Sequence, residues 1–293
     1  MILLSTDRVP ADLTAFKSGV LDYYGLGRYL AVLNVSDIAA CGGTPKALLL
    51  NLGLPDATLW NDFKALCGGV RDIAEKFGCP VVGGDLSSSS ELSVSATVVG
   101  FAGAQQVLTR RAAAPGDWIF ISRPPGLTCA ALRVLRDLDG DHSFLAADDW
   151  ESLTWQFTRL EPMVEFGKQL ASSGMCSSCM DNTDGIGQSL LELAGLSNVK
   201  FVIEESRLSI SPIVSQVAAR LGDAPLAVTL GPGADFSLVG TLKPDVDLKV
   251  FAKVPGTSLQ IIGRVEEGAG VFAERDGVSR HLKIEGWNYF FKR

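Results

Sequence analysis

The sequence predicts an α+β fold in two domains, on three observations. Helical and extended segments are mixed along the whole chain. The extended segments alternate apolar and polar residues, whereas the strands of a doubly wound parallel sheet would be apolar throughout. The pattern restarts near residue 112, with a Pro-Gly turn and then a strand from Trp118, so the domains are set at 1–112 and 113–293.

In the first domain, MILLSTD reads as a short strand. GLGRYLAVLNVSDIAACGG reads as a helix, because Tyr29, Leu30, Leu33, Ile38 and Cys41 approximate a 3.6-residue stripe and Gly42-Gly43 end it. KALLLNLGLP is a buried strand stopped by Pro55. ATLWNDFKALCGGVRDIAEKFG is an amphipathic helix with Leu59, Phe63, Leu66, Val70 and Ile73 on one face. CPVVGGD and the alternating ELSVSATVVGFA are strands. In the second domain, WIFIS, KFVIEES and DFSLVGTL are strands. LTCAALRVLRDL, LEPMVEFGKQLASSG, IGQSLLELAG and SPIVSQVAARLG are helices. CSSCMDNTDG is a strand or loop feeding the third of these, and SLQIIGRVEEGAGVFAERDG predicts a hairpin.

Composition removes several functions. The chain is 47% hydrophobic, enough for a full core. A net charge of −7 argues against non-specific nucleic-acid binding. No apolar run is long enough to span a bilayer, and MILLSTDRVP lacks the basic start of a signal peptide. Six scattered cysteines suit reduced thiols and a cytoplasmic location. Cys176 and Cys179 have a redox or half-zinc spacing but lack its context, so they read as structural thiols. The two histidines, His142 and His281, lie in polar surroundings and support neither a catalytic triad nor a histidine metal site. No phosphate loop or dinucleotide fingerprint occurs.

What remains is a series of acids beside hydroxyls or glycines: Thr6-Asp7, Ser36-Asp37, Gly83-Gly84-Asp85, Asp181 with Thr183-Asp184, and Gly233-Ala234-Asp235. Each has an ordinary use in a turn or a helix cap. Asp37 is harder to explain that way, since it sits in a strongly apolar helix where an unpaired carboxylate is costly. Acids that converge would hold magnesium, which takes one or two carboxylates per ion and completes its shell with water and phosphate oxygens. Arg110 and Arg111 are either solvated linker charges or phosphate clamps.

The ordered set STD, LNVSDIAACGGTPKALLLNLGLP, VVGGD, VLTRRAAAPGDWIFIS, MDNTDGIGQSLLELA, GPGADFSLVGTL and IIGRVEEGAGVFAERDG resembles the thiamine-monophosphate kinase family, within the aminoimidazole-ribonucleotide (AIR) synthetase-related superfamily. The resemblance spans nearly the whole chain. It implies an AIR synthase-like fold whose N-terminal domain forms a β-barrel shared with a second subunit and whose C-terminal domain is an α/β sandwich. ATP would lie between the domains with Mg2+ bridging its phosphates. Asp7, Asp37, Asp85, Asp181 and Asp184 match the family's metal-binding acids. Thr6, Ser36, Gly84, Arg110 and Thr183 fall on the ATP-phosphate side.

The resemblance also carries departures. The family's Gly-Asp-Asp segment is expected ahead of Met1. Thr14-Ala15 stand in place of a His-Phe pair. Ala234 and Ser237 flank Asp235 in place of two glutamates, and Tyr289 replaces a histidine near the end. Thr14, Ala234, Asp235, Ser237 and Tyr289 thus mark an altered acceptor pocket. The expectation is an ATP- and magnesium-dependent phosphotransferase, a cytoplasmic homodimer, acting on a small molecule other than thiamine monophosphate. The alternatives are a thiamine-monophosphate kinase proper, an amide- or ring-forming ligase, and a non-catalytic scaffold.

Overall fold

The computed structural model describes residues 1–251 and 254–284. The first half contains β1 (Ile2–Arg8), α1 (Thr14–Lys17), α2 (Tyr23–Ala40), β2 (Thr44–Leu54), α3 (Trp60–Lys76), β3 (Val81–Ser88) and β4 (Ser93–Phe101). Its four strands lie in the order β1-β4-β2-β3, with β2 and β3 parallel and the other pairs antiparallel. Period-2 alternation fixes the faces. Leu3, Val94, Ala96 and Val98 are buried beneath α2, while Ile2, Leu4 and Phe101 point to the open side.

The stripe that predicted α2 understates it. Its residues are buried on almost every side, against β1, β2 and β4, against α3, and against elements of the second half. Asp22 caps it by accepting a hydrogen bond from the Gly25 amide at 2.8 Å. α3 approaches so closely that a Cβ on Gly27 would lie 2.0 Å from the Leu66 carbonyl oxygen, and one on Gly69 2.0 Å from that of Tyr24. Glycine at both crossings lets the two backbones touch.

The second half contains β5 (Trp118–Ile121), α4 (Leu127–Asp137), α5 (Ala147–Thr158), α6 (Val164–Ser173), β6 (Cys176–Asp181), α7 (Ile186–Ser197) and β7 (Lys200–Glu204). There follow α8 (Pro212–Leu221), α9 (Pro225–Leu230), β8 (Leu238–Leu242), β9 (Gln260–Glu266), β10 (Gly270–Arg275) and β11 (Val278–His281). These strands form a mixed seven-stranded sheet, β11-β10-β7-β9-β5-β8-β6. α7 and α9 cover one face around Ile119, Phe201 and Val271, and α6 covers the other around Phe120 and Phe251. The hairpin expected over 258–277 does not form. β7 lies between β9 and β10, antiparallel to the first and parallel to the second, and β10 turns back onto β11 instead.

Residues 102–117 carry the chain from one sheet to the other. The core does not divide with the sheets: one apolar cluster runs from Leu48 and Val98 through Leu30 to Ala130, Leu153 and Val214. Helices and mixed sheets packed in this way are the α+β fold the sequence predicts. Among the described residues, no helix is long and apolar enough to cross a membrane.

Candidate active site

Four of the expected acids meet where α2 passes between the sheets. Asp7 comes from β1, Asp37 from α2, Asp181 from the end of β6, and Asp184 from the turn after it. On β1, alternation places Ser5 and Asp7 on the side facing α2. Ser5 Oγ donates to Asp37 Oδ2 at 2.6 Å. The carboxyls of Asp7 and Asp37 are in contact.

This crowding in a dry place disfavours charge. Burial, then the contact with Asp7, pushes the Asp37 carboxyl up to about 7. Burial, then the charge of Asp37, pushes Asp181 up to about 7. Asp7 and Asp184 are raised as well, burial again being the main cause, with Asp181 and Asp184 adding repulsion at Asp7 and Glu192 at Asp184. The exposed guanidinium of Arg110 offsets part of this at Asp37, Asp181 and Asp184, while pairing with Glu192 Oε2 of α7 at 3.2 Å. Cys41 stands beside them, and burial together with Asp37 and Asp181 raises its thiol.

Two buried oxygens in this cluster, Asp181 Oδ2 and Ser36 Oγ, make no hydrogen bond of good geometry among the described residues, although Ser36 lies close enough to Asp181 to offset part of its rise. Poorly satisfied buried oxygens beside carboxyls held above their usual range fit a hard cation with oxygen ligands. Among the described residues no three His, Cys, Asp or Glu side chains gather at one point tightly enough to chelate an ion alone. Mg2+ takes carboxylates in ones and twos beside phosphate oxygens. Asp7 with Asp37, and Asp181 with Asp184, are the groups that would hold it.

The turn that bears Asp181 and Asp184 opens α7 without capping it. Gly185 occupies the cap position, and neither Thr183 nor Asp184 bonds the first-turn amides. The ordinary use of these side chains as helix caps is therefore not their use here. Thr183 and Asp184 line a pocket with Leu13, Thr14, Arg136 and Ala234. A second pocket, on the other side of the cluster, is lined by Ser5, Asp37, Cys41, Arg110 and Asp181.

Other expected positions lie elsewhere. Thr6 is on the opposite face of β1, where its Oγ1 donates to the Ala96 carbonyl and accepts from Thr97. Gly84 shares a cross-strand row with Asp7, but at three strand spacings, roughly 14 Å. Asp85 follows it on the exposed edge strand β3. Gly84 has a structural need of its own, since a Cβ there would lie 1.9 Å from the Leu50 carbonyl oxygen. Asp235 and Ser237 turn inward. Asp235 Oδ1 accepts from the Asn182 amide, the Ser237 amide and the Ser237 hydroxyl, which ties the β8 entrance to the Asp181–Asp184 turn. Tyr289 lies outside the described residues. Ser5, Asn34, Cys41 and Glu192 were absent from the expected set. For Ser5 the signal was available: it sits two residues before Asp7, so the same face of the strand carries both.

Residues 1–102 match the family model for the AIR synthase related protein N-terminal domain. The chain is 28% identical over 284 residues to a thiamine-monophosphate kinase of Pyrococcus horikoshii, covering 96% of this chain and 85% of that protein. It is 30% identical over 279 residues to the thiamine-monophosphate kinase of Halobacterium salinarum, covering 95% and 88%. The fold superposes on the structure of AaThiL complexed with AMPPCP and TMP with a TM-score of 0.82 at 28% identity, covering 99% of this chain and 87% of that one.

Proposed function

The chain belongs to the thiamine-monophosphate kinase family, and from that premise we propose that it binds ATP with divalent cations at the four-acid cluster and phosphorylates a small acceptor, thiamine monophosphate before any other. The observation that carries this reading is the convergence of Asp7, Asp37, Asp181 and Asp184 beside Arg110. These acids cannot all be charged in a dry cleft without cations, and a nucleotide polyphosphate arrives with them. Bound Mg2+ would neutralise the phosphate oxygens and align the terminal phosphate for in-line transfer.

The chain's own groups divide the work. Asp7 and Asp37 form one carboxylate pair, and Asp181 with Asp184 the other. Arg110, on an exposed stem beside both, offers a planar fork that suits a phosphate oxygen pair once it leaves Glu192. The pocket bearing Thr14, Thr183, Asp184 and Ala234 receives the acceptor, since it shares Asp184 with the cluster. No side chain is needed as a strong base, because phosphoryl transfer rests on positioning and charge.

A homodimer belongs to the same reading. The open face of the four-stranded sheet exposes Ile2, Leu4 and Phe101 at 64%, 70% and 46%, an apolar surface that a second copy would cover. Such a pairing would also give Gly84 and Asp85, remote from their own chain's cluster, a role across the interface.

A second reading keeps the nucleotide site and changes the acceptor. Its observation is that Thr14 and Ala234, small and uncharged, line the pocket where the family resemblance implied a histidine and a glutamate. The test is calorimetric titration with a non-hydrolysable ATP analogue, with and without Mg2+, followed by assay of ATP-dependent phosphorylation of thiamine monophosphate. Mg2+-dependent binding with turnover supports the first reading. Binding without turnover of that acceptor selects the second. Absence of nucleotide binding overturns both.

A further inference from the structure

Asn34 sits wholly buried in α2, three residues before Asp37 and so on the same side of the helix. Asparagine is a poor choice for a helix interior, because its side chain competes for backbone groups. Here it uses both ends. Its Nδ2 donates to the Leu30 carbonyl one turn back, at 3.0 Å. Its Oδ1 accepts from the Asp7 amide, at 3.2 Å.

The second bond joins two elements. Among the described residues β1 is an edge strand, joined on one side to β4 in a register in which Met1 and Val9 bond Ala102 and Val94. The same register pairs Asp7 with Ala96, so the Asn34 bond is an additional tie on the Asp7 amide, reaching it from α2. Ser5, two residues earlier on β1, reaches the other way and donates to Asp37 of α2. The result is a reciprocal brace: helix to strand at Asn34–Asp7, strand to helix at Ser5–Asp37. It is fastened to the backbone of one acid and to the carboxylate of the other. Two carboxylates in contact repel once ionised, so the strand would move away from the helix if it were free to do so. The Asn34 bond holds the backbone that carries one of them.

Resting on the reading that this cluster binds Mg2+ and nucleotide, we propose that Asn34 is a positioning residue: it holds the Asp7 backbone so that the Asp7 and Asp37 carboxylates present one preset pair of oxygens to a divalent cation. The packing role of a buried amide does not account for this placement. The Leu30 carbonyl takes a hydrogen of Nδ2 within the helix itself, and an apolar side chain of similar size would fill the space without gripping β1.

The test is calorimetric binding of the non-hydrolysable ATP analogue across a Mg2+ series, with thermal unfolding of each metal-free protein. The variants are Asn34→Leu, the milder Asn34→Ser in case the first fails to fold, and Thr241→Val. Thr241 is the control, since it loses a buried hydrogen bond, to Ser178 at 2.9 Å, that has no part in the brace. Both Asn34 variants should need roughly tenfold more Mg2+ for half-maximal nucleotide binding, the scale on which groups that orient metal ligands act. Thr241→Val should lose thermal stability with its Mg2+ requirement unchanged. Asn34 variants that are destabilised but keep the wild-type Mg2+ requirement would overturn the proposal. A wild-type protein that binds no nucleotide at any Mg2+ concentration would instead overturn the reading it rests on.

Discussion

Asp37 and Asp181 face one another across the junction of two sheets, one from the interior of a helix and one from the end of a strand, and each keeps its proton up to about pH 7. Burial is the first cause in both, and mutual repulsion adds to it at Asp181.

The sign of the resulting pH dependence follows. The ordinary value for these carboxyls is 3.8, and the folded protein holds both protons to about 7. Folding therefore takes up protons between those limits, and metal-free stability falls as pH rises from about 4 to about 7, then levels off. Thermal midpoints across this range without Mg2+ should decline. Saturating Mg2+ should remove most of the decline at the upper end.

Asp181→Asn should separate stability from binding. Asp181 is 2% exposed and burial is the main cause of its raised carboxyl, so removing its charge relieves desolvation at neutral pH. The metal-free variant should be more stable at pH 8 by about 1–3 kcal/mol, the scale of a buried unsatisfied group. Its Mg2+-dependent nucleotide binding should be lost. Urea unfolding and calorimetry check the two halves of this expectation.

Gly27→Ala should be strongly destabilising. The added methyl meets the Leu66 carbonyl oxygen at 2.0 Å, against backbone that cannot yield without moving α3. The cost should reach or exceed about 1–3 kcal/mol, the usual range for overpacking. Chemical unfolding measures it directly.

The proposed homodimer should have twice the 31.1 kDa chain mass by light scattering. Leu4→Glu, at a position 70% exposed on the open sheet face, should return it to that chain mass without loss of helical circular dichroism. A wild-type protein that runs as a monomer would remove the dimer from the proposed function.

Much of this was legible in the sequence because it is local. The apolar helix around Asp37, the strand-turn-helix at Asp181–Asp184, and the alternating strands each declare themselves within a dozen residues. What was not legible depends on distant partners. The segments that became β9 and β10 look like a hairpin until β7, some sixty residues upstream of β9, inserts between them. A single step of register decides that Ser5 and not Thr6 faces the acids. Asp235 looked like a pocket residue because the family resemblance put its motif there, yet its carboxylate is taken up by Asn182 and Ser237. Gly84 and Asp85 sit in the right motif but on the far edge of the sheet.

The burial of α2 on nearly all sides has a consequence for sequence variation. A surface helix has an exposed half where neutral substitutions accumulate, and α3, with Trp60 67% exposed, has one. α2 has almost none. In a saturation mutagenesis of this chain, tolerance along α3 should rise and fall with the helical period, and along Leu26–Ala40 it should stay low at nearly every position. The helix that carries Asp37 would then be the segment slowest to drift, for reasons of space as much as of chemistry.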